Sequence, residues 1–301
     1  MKVTVTGATG LIGTALVGAL KARGDEVTVL SRDPARAERL LGAEAQAWDP
    51  LTGPAPASAL SGRDGVVHLA GEPVAQRWTA DVKRAIRASR DLGTANLVAG
   101  IAASEPRPSV LVSSSAVGYY GKHGDEIIDE SAPAGADFLA DVCVEWERRA
   151  RAAEELGLRV VIVRTGVVLD ADGGALKTML PPFKAGVGGP VAGGRQYMPW
   201  IHVDDIVGIY LAALDEASWS GPVNGTAPDP VTNAEFSKAL GRALKRPAIF
   251  PVPAIAIRTL YGEMSEIVAE GQRAVPARTL ELGYRFSQPD LDAALASALG
   301  R

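Results

Sequence analysis

Apolar residues along the first 165 positions switch regularly between two periods. Short, nearly continuous apolar or β-branched runs at 2–6, 26–30, 45–48, 65–69, 109–113 and 158–164 read as strands. The run at 65–69 has almost no polar break, as a strand buried on both faces should. Between these runs, apolar positions recur at helical spacing over 11–23, 34–41, 80–103 and 138–156. In the last segment Leu139, Val142, Trp146, Ala150 and Ala153 share one face. This alternation predicts an α/β fold, a Rossmann-type doubly wound parallel sheet with right-handed crossovers.

From about residue 169 the rhythm breaks. Residues 171–200 hold seven glycines and four prolines. That composition predicts a long loop near the carboxyl ends of the strands, placed to serve as a substrate lid. Further on, 201–203 and 222–225 read as short strands and 205–217 as a helix. Thr232-Asn-Ala-Glu235 fits a capping box ahead of a helix over 236–244. The tail from Arg246 is punctuated by proline and then helical.

The first strand runs into Gly7-Ala-Thr-Gly10-Leu-Ile-Gly13 and then straight into the first helix. Strand, glycine turn and helix N-terminus together seat a dinucleotide pyrophosphate. Gly7 permits the sharp turn, Gly10 lets the backbone approach phosphate, and Gly13 lets helix and strand pack closely. The contacts expected from this turn are Gly7, Thr9, Gly10, Leu11, Ile12 and Gly13. After the second strand comes Ser31-Arg32, where an NAD-binding chain usually carries a carboxylate for the ribose 2′-hydroxyl. A hydroxyl beside a guanidinium suits a 2′-phosphate instead, so NADP (NADPH) is the expected cofactor. Asp33 precedes Pro34 and reads as a helix cap. After the fourth strand, the small residues of Leu69-Ala70-Gly71 let backbone pass beneath ribose and pyrophosphate. Glu72 either touches cofactor or substrate or lies on the surface, and Arg90 either points back at phosphate or is a surface charge.

Composition narrows the function classes. A net charge of -4 with interspersed signs gives no footing for nucleic acid. The single cysteine, Cys143, excludes an internal disulfide and a cysteine-based zinc site. No run approaches the roughly 18–20 apolar residues needed to span a bilayer. The chain enters a strand at once, which leaves no room for a leader and points to a cytoplasmic location. A small-molecule substrate and a monomer or homodimer are expected.

These motifs resemble the extended short-chain dehydrogenase/reductase proteins, the NAD-dependent epimerase/dehydratase group. They come nearest to its atypical branch of epimerase family proteins with a C-terminal domain of unknown function. The resemblance rests on Thr6-Gly-Ala-Thr-Gly-Leu-Ile-Gly13, Leu69-Ala-Gly-Glu72, Ser114-Ser-Ala-Val-Gly-Tyr-Tyr-Gly121, Pro199-Trp-Ile-His-Val-Asp-Asp205 and Asn224-Gly-Thr-Ala-Pro228. Glu270-Gly-Gln-Arg273 and Gly283-Tyr-Arg-Phe286 resemble the branch's C-terminal domain. The resemblance implies an NADP-binding Rossmann core over 1–165. It implies a substrate-side lobe over 166–301, small and mostly helical, with the family-specific segment at about 250–298. It also implies hydride transfer on a small polar substrate, with a nucleotide sugar and epimerisation suggested by the family label.

One departure bears on mechanism. The wider superfamily carries Tyr-x-x-x-Lys on the helix after the fifth strand, the lysine lowering the tyrosine pKa for proton transfer. No tyrosine of this chain has lysine four residues on, and the region reads Phe138-Leu-Ala-Asp-Val-Cys143. Ser114 and Ser115 match the family's catalytic serine/threonine position. Tyr119 and Tyr120 lie a few residues further, where a phenol can reach the site or pack in the core. Cys143 reads as a buried, inert thiol and His68 as a core histidine. His202 and Asp204 either line a substrate pocket or brace the fold. The leading expectation is an NADP(H)-dependent oxidoreductase or epimerase. The alternative, supported by the missing pair, is a non-enzymatic NADP(H)-binding sensor or regulatory protein.

Overall fold

The computed structural model describes residues 1–265 and 270–300. Residues 266–269 of the C-terminal segment, and Arg301, lie outside the described residues. The first half contains β1 (Lys2–Thr6), α1 (Leu11–Ala22), β2 (Glu26–Ser31), α2 (Pro34–Leu41), β3 (Glu44–Ala47), β4 (Gly65–His68), α3 (Ala80–Ala102), β5 (Val110–Ala116), β6 (Ile127–Ile128) and α4 (Phe138–Arg151). The second half adds β7 (Arg159–Thr165), β8 (Val167–Leu169), α5 (Gly174–Lys184), β9 (Tyr197–Met198), β10 (Trp200–His202), α6 (Val203–Asp215), β11 (Gly221–Gly225), β12 (Val231–Thr232) and α7 (Asn233–Leu244). Near the end come β13 (Arg273–Ala274) and the helix Leu291–Ala298.

Seven strands in the order β11-β7-β5-β4-β1-β2-β3 form the central sheet, every pair parallel. The two-residue period of a strand sorts its side chains into two cores. Val3, Val5, Val67 and Val112 pack on one face with α1 and α6, while Val66, Leu111 and Ile162 pack on the other with α3. Burial on both faces explains why β4 reads as an unbroken apolar run. The order in which strands are added reverses between β1 and β4, and the carboxyl edge of that switch point is where a parallel sheet leaves a crevice.

Two expectations change. Residues 174–184 form α5 rather than loop, despite Pro181 and Pro182 inside it. Leu176, Leu180 and Phe183 fall on one face and bury against Trp200, Phe236 and Leu240. Burying each such side chain is worth about 1.5–3 kcal/mol, so the three together offset the two interior prolines at about 3 kcal/mol each. This stretch of the expected lid is therefore core. The helix over 138–156 is α-helical only to Arg151 and ends as a 3₁₀ turn at Leu156, followed by left-handed Gly157.

Strand β11 pairs with β7 along five residues, and α6 packs on α1, so elements after residue 165 complete the central sheet and its core. The C-terminal segment is anchored at three places. Asp205 accepts the Ser287 and Gln288 amides at 2.7 and 2.9 Å. Asn224 donates to the Val275 carbonyl at 2.9 Å, and β13 pairs with β6. The capping box at Thr232 and Glu235 is present.

Candidate functional site

A cleft of about 410 Å³ opens at the carboxyl edge of β1, β2 and β4. Its floor is the glycine turn. Gly7 has φ +66°, and a Cβ there would meet the Leu69 carbonyl carbon at 2.6 Å and the Ala70 nitrogen at 2.7 Å. At Gly13 a Cβ would meet the Gly7 oxygen at 2.4 Å, so α1 can start this close to β1 only without a side chain there.

Of the expected cofactor residues, Gly7, Thr9, Gly10, Ser31, Arg32, Leu69, Ala70, Gly71 and Glu72 line the cleft. Three others sit beneath or beside it. Leu11 packs under Gly173 and Gly174, Ile12 belongs to the apolar core, and Gly13 sets the closeness of helix and strand.

At the end of β2 the cleft also holds Arg36, which the sequence reading passed over. The signal was a second guanidinium four residues after Arg32, in the first turn of α2. Asp33 lies beside them but is committed as the cap of α2, accepting the Arg36 amide at 3.0 Å. Asp49 is likewise turned onto the Leu51 amide at 3.0 Å. Ser31 gives its hydroxyl hydrogen to the Asp33 carbonyl at 3.1 Å, so the two guanidinium groups of Arg32 and Arg36 are the donors that fit a 2′-phosphate. The side-chain-free floor at the start of α1 fits a pyrophosphate.

Arg90 is not a surface charge. It lies behind the cleft residue Gly71 and donates to the Glu72 carbonyl at 2.9 Å. Glu72 itself accepts from Gln76 at 3.1 Å.

The two serines at the end of β5 separate, as adjacent strand residues must. Ser114 turns toward Tyr210 of α6. Ser115 is 2% exposed and turns toward α4, donating to Glu147 Oε1 at 2.8 Å. Glu147 is held from the other side by Arg164 of β7, whose Nε and Nη2 reach its two oxygens at 2.8 and 2.9 Å. Burial works against the Arg164 charge, but Glu147 holds its pKa above the ordinary arginine value.

Tyr120 does not open on the site. It is fully buried, donates to Asn224 Oδ1 at 2.7 Å and accepts from Arg164 at 3.1 Å. Burial pushes its phenol up to about 12. The reason is local: the 3₁₀ turn Val117–Tyr120 directs one tyrosine inward and leaves its neighbour half-buried. Tyr119 stacks on Arg164, with the guanidinium carbon 3.4 Å from the ring centroid. Of the four expected catalytic residues, Ser115 and the two tyrosines share the network around Arg164, and Ser114 does not.

The positions on α4 that would carry the relay hold Leu139 and Cys143. Leu139 lines a cavity of about 150 Å³ with Trp78, Phe138, Gly118 and Lys83, closed on one side by Glu263 and Gln272. Cys143 is buried, and burial together with the Glu147 charge pushes its thiol up to about 12. His68 bridges Thr6 and Thr94 at 2.7 and 3.0 Å, and burial with the Arg90 charge holds it down to about 3. His202 caps α6, accepting the Asp204 amide at 3.2 Å. Among the described residues there is no cluster fit to hold a metal ion, and no helix is long and apolar enough to cross a membrane.

Comparison with known proteins gives the same picture. The model of the NAD dependent epimerase/dehydratase family matches residues 3–224, and a domain of unknown function, DUF1731, matches residues 252–298. A relative from Arabidopsis thaliana, described as an epimerase family protein SDR39U1 homolog, chloroplastic, is 42% identical over 297 residues, covering 95% of this chain and 83% of its own length. The crystal structure of human epimerase family protein SDR39U1 (isoform 2) with NADPH is 38% identical, covers all of both chains and superposes with a TM-score of 0.90. A nucleoside-diphosphate sugar epimerase structure from Corynebacterium glutamicum is 37% identical with a TM-score of 0.79, covering all of this chain and 58% of that one.

Proposed function

This chain belongs to the NAD-dependent epimerase/dehydratase family, and on that footing we propose that it binds NADPH in the cleft beside Arg32 and serves hydride transfer on a small polar substrate. The observation that carries the cofactor half is the pair Arg32 and Arg36 at the end of β2. The nearby Asp33 and Asp49 each turn one oxygen onto a backbone amide. The NADPH in the human relative supports the same choice.

Bound NADPH supplies the hydride, and the chain's own groups do the rest. The start of α1 seats the pyrophosphate. Arg32 and Arg36 fix the adenosine end, so that the reactive end lies toward β4 and β5. Ser115, at the end of β5 on the α4 side, is 2% exposed and gives its hydrogen to Glu147, so it braces β5 against α4 beside the site rather than meeting substrate. The cavity between Leu139, Trp78 and Phe138 is the place for the substrate.

A second reading has its own observation. Leu139 has no ionisable group, the buried Cys143 thiol does not ionise near neutral pH, and Tyr120 is sealed. These features favour an NADP(H)-binding sensor over a turnover enzyme. One experiment separates the two. Purified protein is titrated with NADPH and NADH, then offered NADPH with aldehydes, ketones and nucleotide sugars while absorbance is followed. Tight NADPH binding with consumption supports the enzyme. Tight binding with no consumption supports the sensor. Equal affinity for the two cofactors overturns the cofactor assignment.

A further inference from the structure

The geometry points to Arg90 as the cation of the nicotinamide half of the site, taking from α3 the electrostatic place that Cys143 leaves vacant on α4. This deepens the NADPH reading and rests on it.

Arg90 is a guanidinium partly withdrawn from water, with the Glu72 charge acting on it but no ion pair. Among the described residues no carboxylate forms an ion pair with it, and its contacts are carbonyls and a hydroxyl. Nη1 donates to the Glu72 oxygen at 2.9 Å, the Ile86 oxygen at 3.3 Å and Ser89 Oγ at 3.3 Å. Burial lowers its pKa from the ordinary arginine value, with the Cys143 and Glu72 sides of the site opposing. Withdrawing a cation from water without a counter-charge is costly, and such groups persist where an anion or a dipole arrives to meet them.

Its placement says which part of the cofactor that is. The guanidinium carbon lies 4.8 Å from the centroid of the Trp146 ring, on the side of α4 that carries Cys143. It also rests on Gly71, where a Cβ would come within 3.1 Å of Cζ and 3.2 Å of Nη2. Gly71 follows β4, and Cys143 sits beside Ser115 and Ala116 at the end of β5. Arg90 therefore stands beneath the β4–β5 edge, on the far side of β1 from Arg32 and Arg36. A dinucleotide laid across the switch point with its 2′-phosphate at β2 brings its nicotinamide ribose to that edge.

The test compares two ligands on the full chain. NADPH carries both halves, whereas 2′-phosphoadenosine 5′-diphosphate carries the 2′-phosphate and both bridging phosphates without the nicotinamide riboside. Arg90→Ala is expected to weaken NADPH about tenfold or more and the shorter ligand less than about twofold, a selective loss of about 1 kcal/mol or more. Gly71→Ala, which displaces the guanidinium but keeps its charge, is expected to show the same selectivity. Arg90→Lys should recover part of it. Melting temperature is read alongside, and if Arg90→Ala does not fold the other two variants decide. Equal losses for both ligands would put Arg90 on the phosphates and overturn the inference, and no loss for either would overturn it too. A wild-type chain that binds neither ligand refutes the NADPH reading itself, a distinguishable failure.

Discussion

Ser115 gives its hydroxyl hydrogen to Glu147 across 2.8 Å, from the end of β5 to the third turn of α4. That contact ties the candidate site to the buried pair Glu147–Arg164, and through Arg164 to Tyr120, Asn224 and the C-terminal segment. The serine is oriented by a charge network rather than by a tyrosine–lysine pair.

Breaking that pair should cost stability. Both side chains are nearly inaccessible, 3% for Arg164 and 6% for Glu147. Glu147→Ala leaves a buried guanidinium unmatched and is expected to destabilise the fold by about 3–5 kcal/mol, read from urea unfolding. Replacing both members by methionine should recover much of the loss. A single-variant loss below about 1 kcal/mol would mean the pair contributes nothing.

The two adjacent tyrosines should behave differently. Tyr120→Phe strips Asn224 Oδ1 of its buried donor and is expected to cost about 1–3 kcal/mol in stability while leaving NADPH affinity unchanged. Tyr119→Phe removes a hydroxyl from a half-buried ring and keeps the stack on Arg164, so unfolding should barely move. Equal effects in the two variants would contradict the assignment of Tyr120 to the core.

Cofactor preference should reside in two arginines. Arg32→Ala and Arg36→Ala are each expected to weaken NADPH by about tenfold to a hundredfold, because a charge-assisted hydrogen bond is worth about 1.5–3 kcal/mol. Affinity for NADH should stay within about twofold. Fluorescence titration with both cofactors checks it, and a parallel loss of NADH would place the arginines elsewhere than on the 2′-phosphate.

Acid should act through His68. Its pKa falls from 6.5 to about 3 on folding, first through burial and then through the Arg90 charge. Below pH 6.5 the unfolded chain takes up a proton that the folded chain refuses, so stability falls as pH drops toward 3. Above 6.5 the contribution is complete and flat. The expected slope in that window is about 1.4 kcal/mol per pH unit from this group. His68→Gln should remove that share, and an unchanged acid limb in the variant would refute it.

The sequence by itself determined the sheet and the cofactor turn. Both are local: strand period, glycine spacing and the residues after β2 are written within a few positions of one another, so no distant contact is needed to read them. His68 between two buried strands and the capping box at Thr232 were legible for the same reason. Tertiary structure decided the rest. Residues 174–184 read as loop because two prolines outweigh local helix propensity, and only burial of Leu176 and Phe183 reverses the balance. Ser114 and Ser115 looked equivalent until the pleat sent them to opposite faces. Tyr120 looked like a candidate acid until Asn224, 104 residues away, claimed its hydroxyl. Arg90 stood between surface charge and phosphate ligand until the packing of α3 on α4 placed it behind Gly71. Each of these depends on which residues meet across the fold, and a guanidinium or phenol takes its role from the groups that desolvate and pair it.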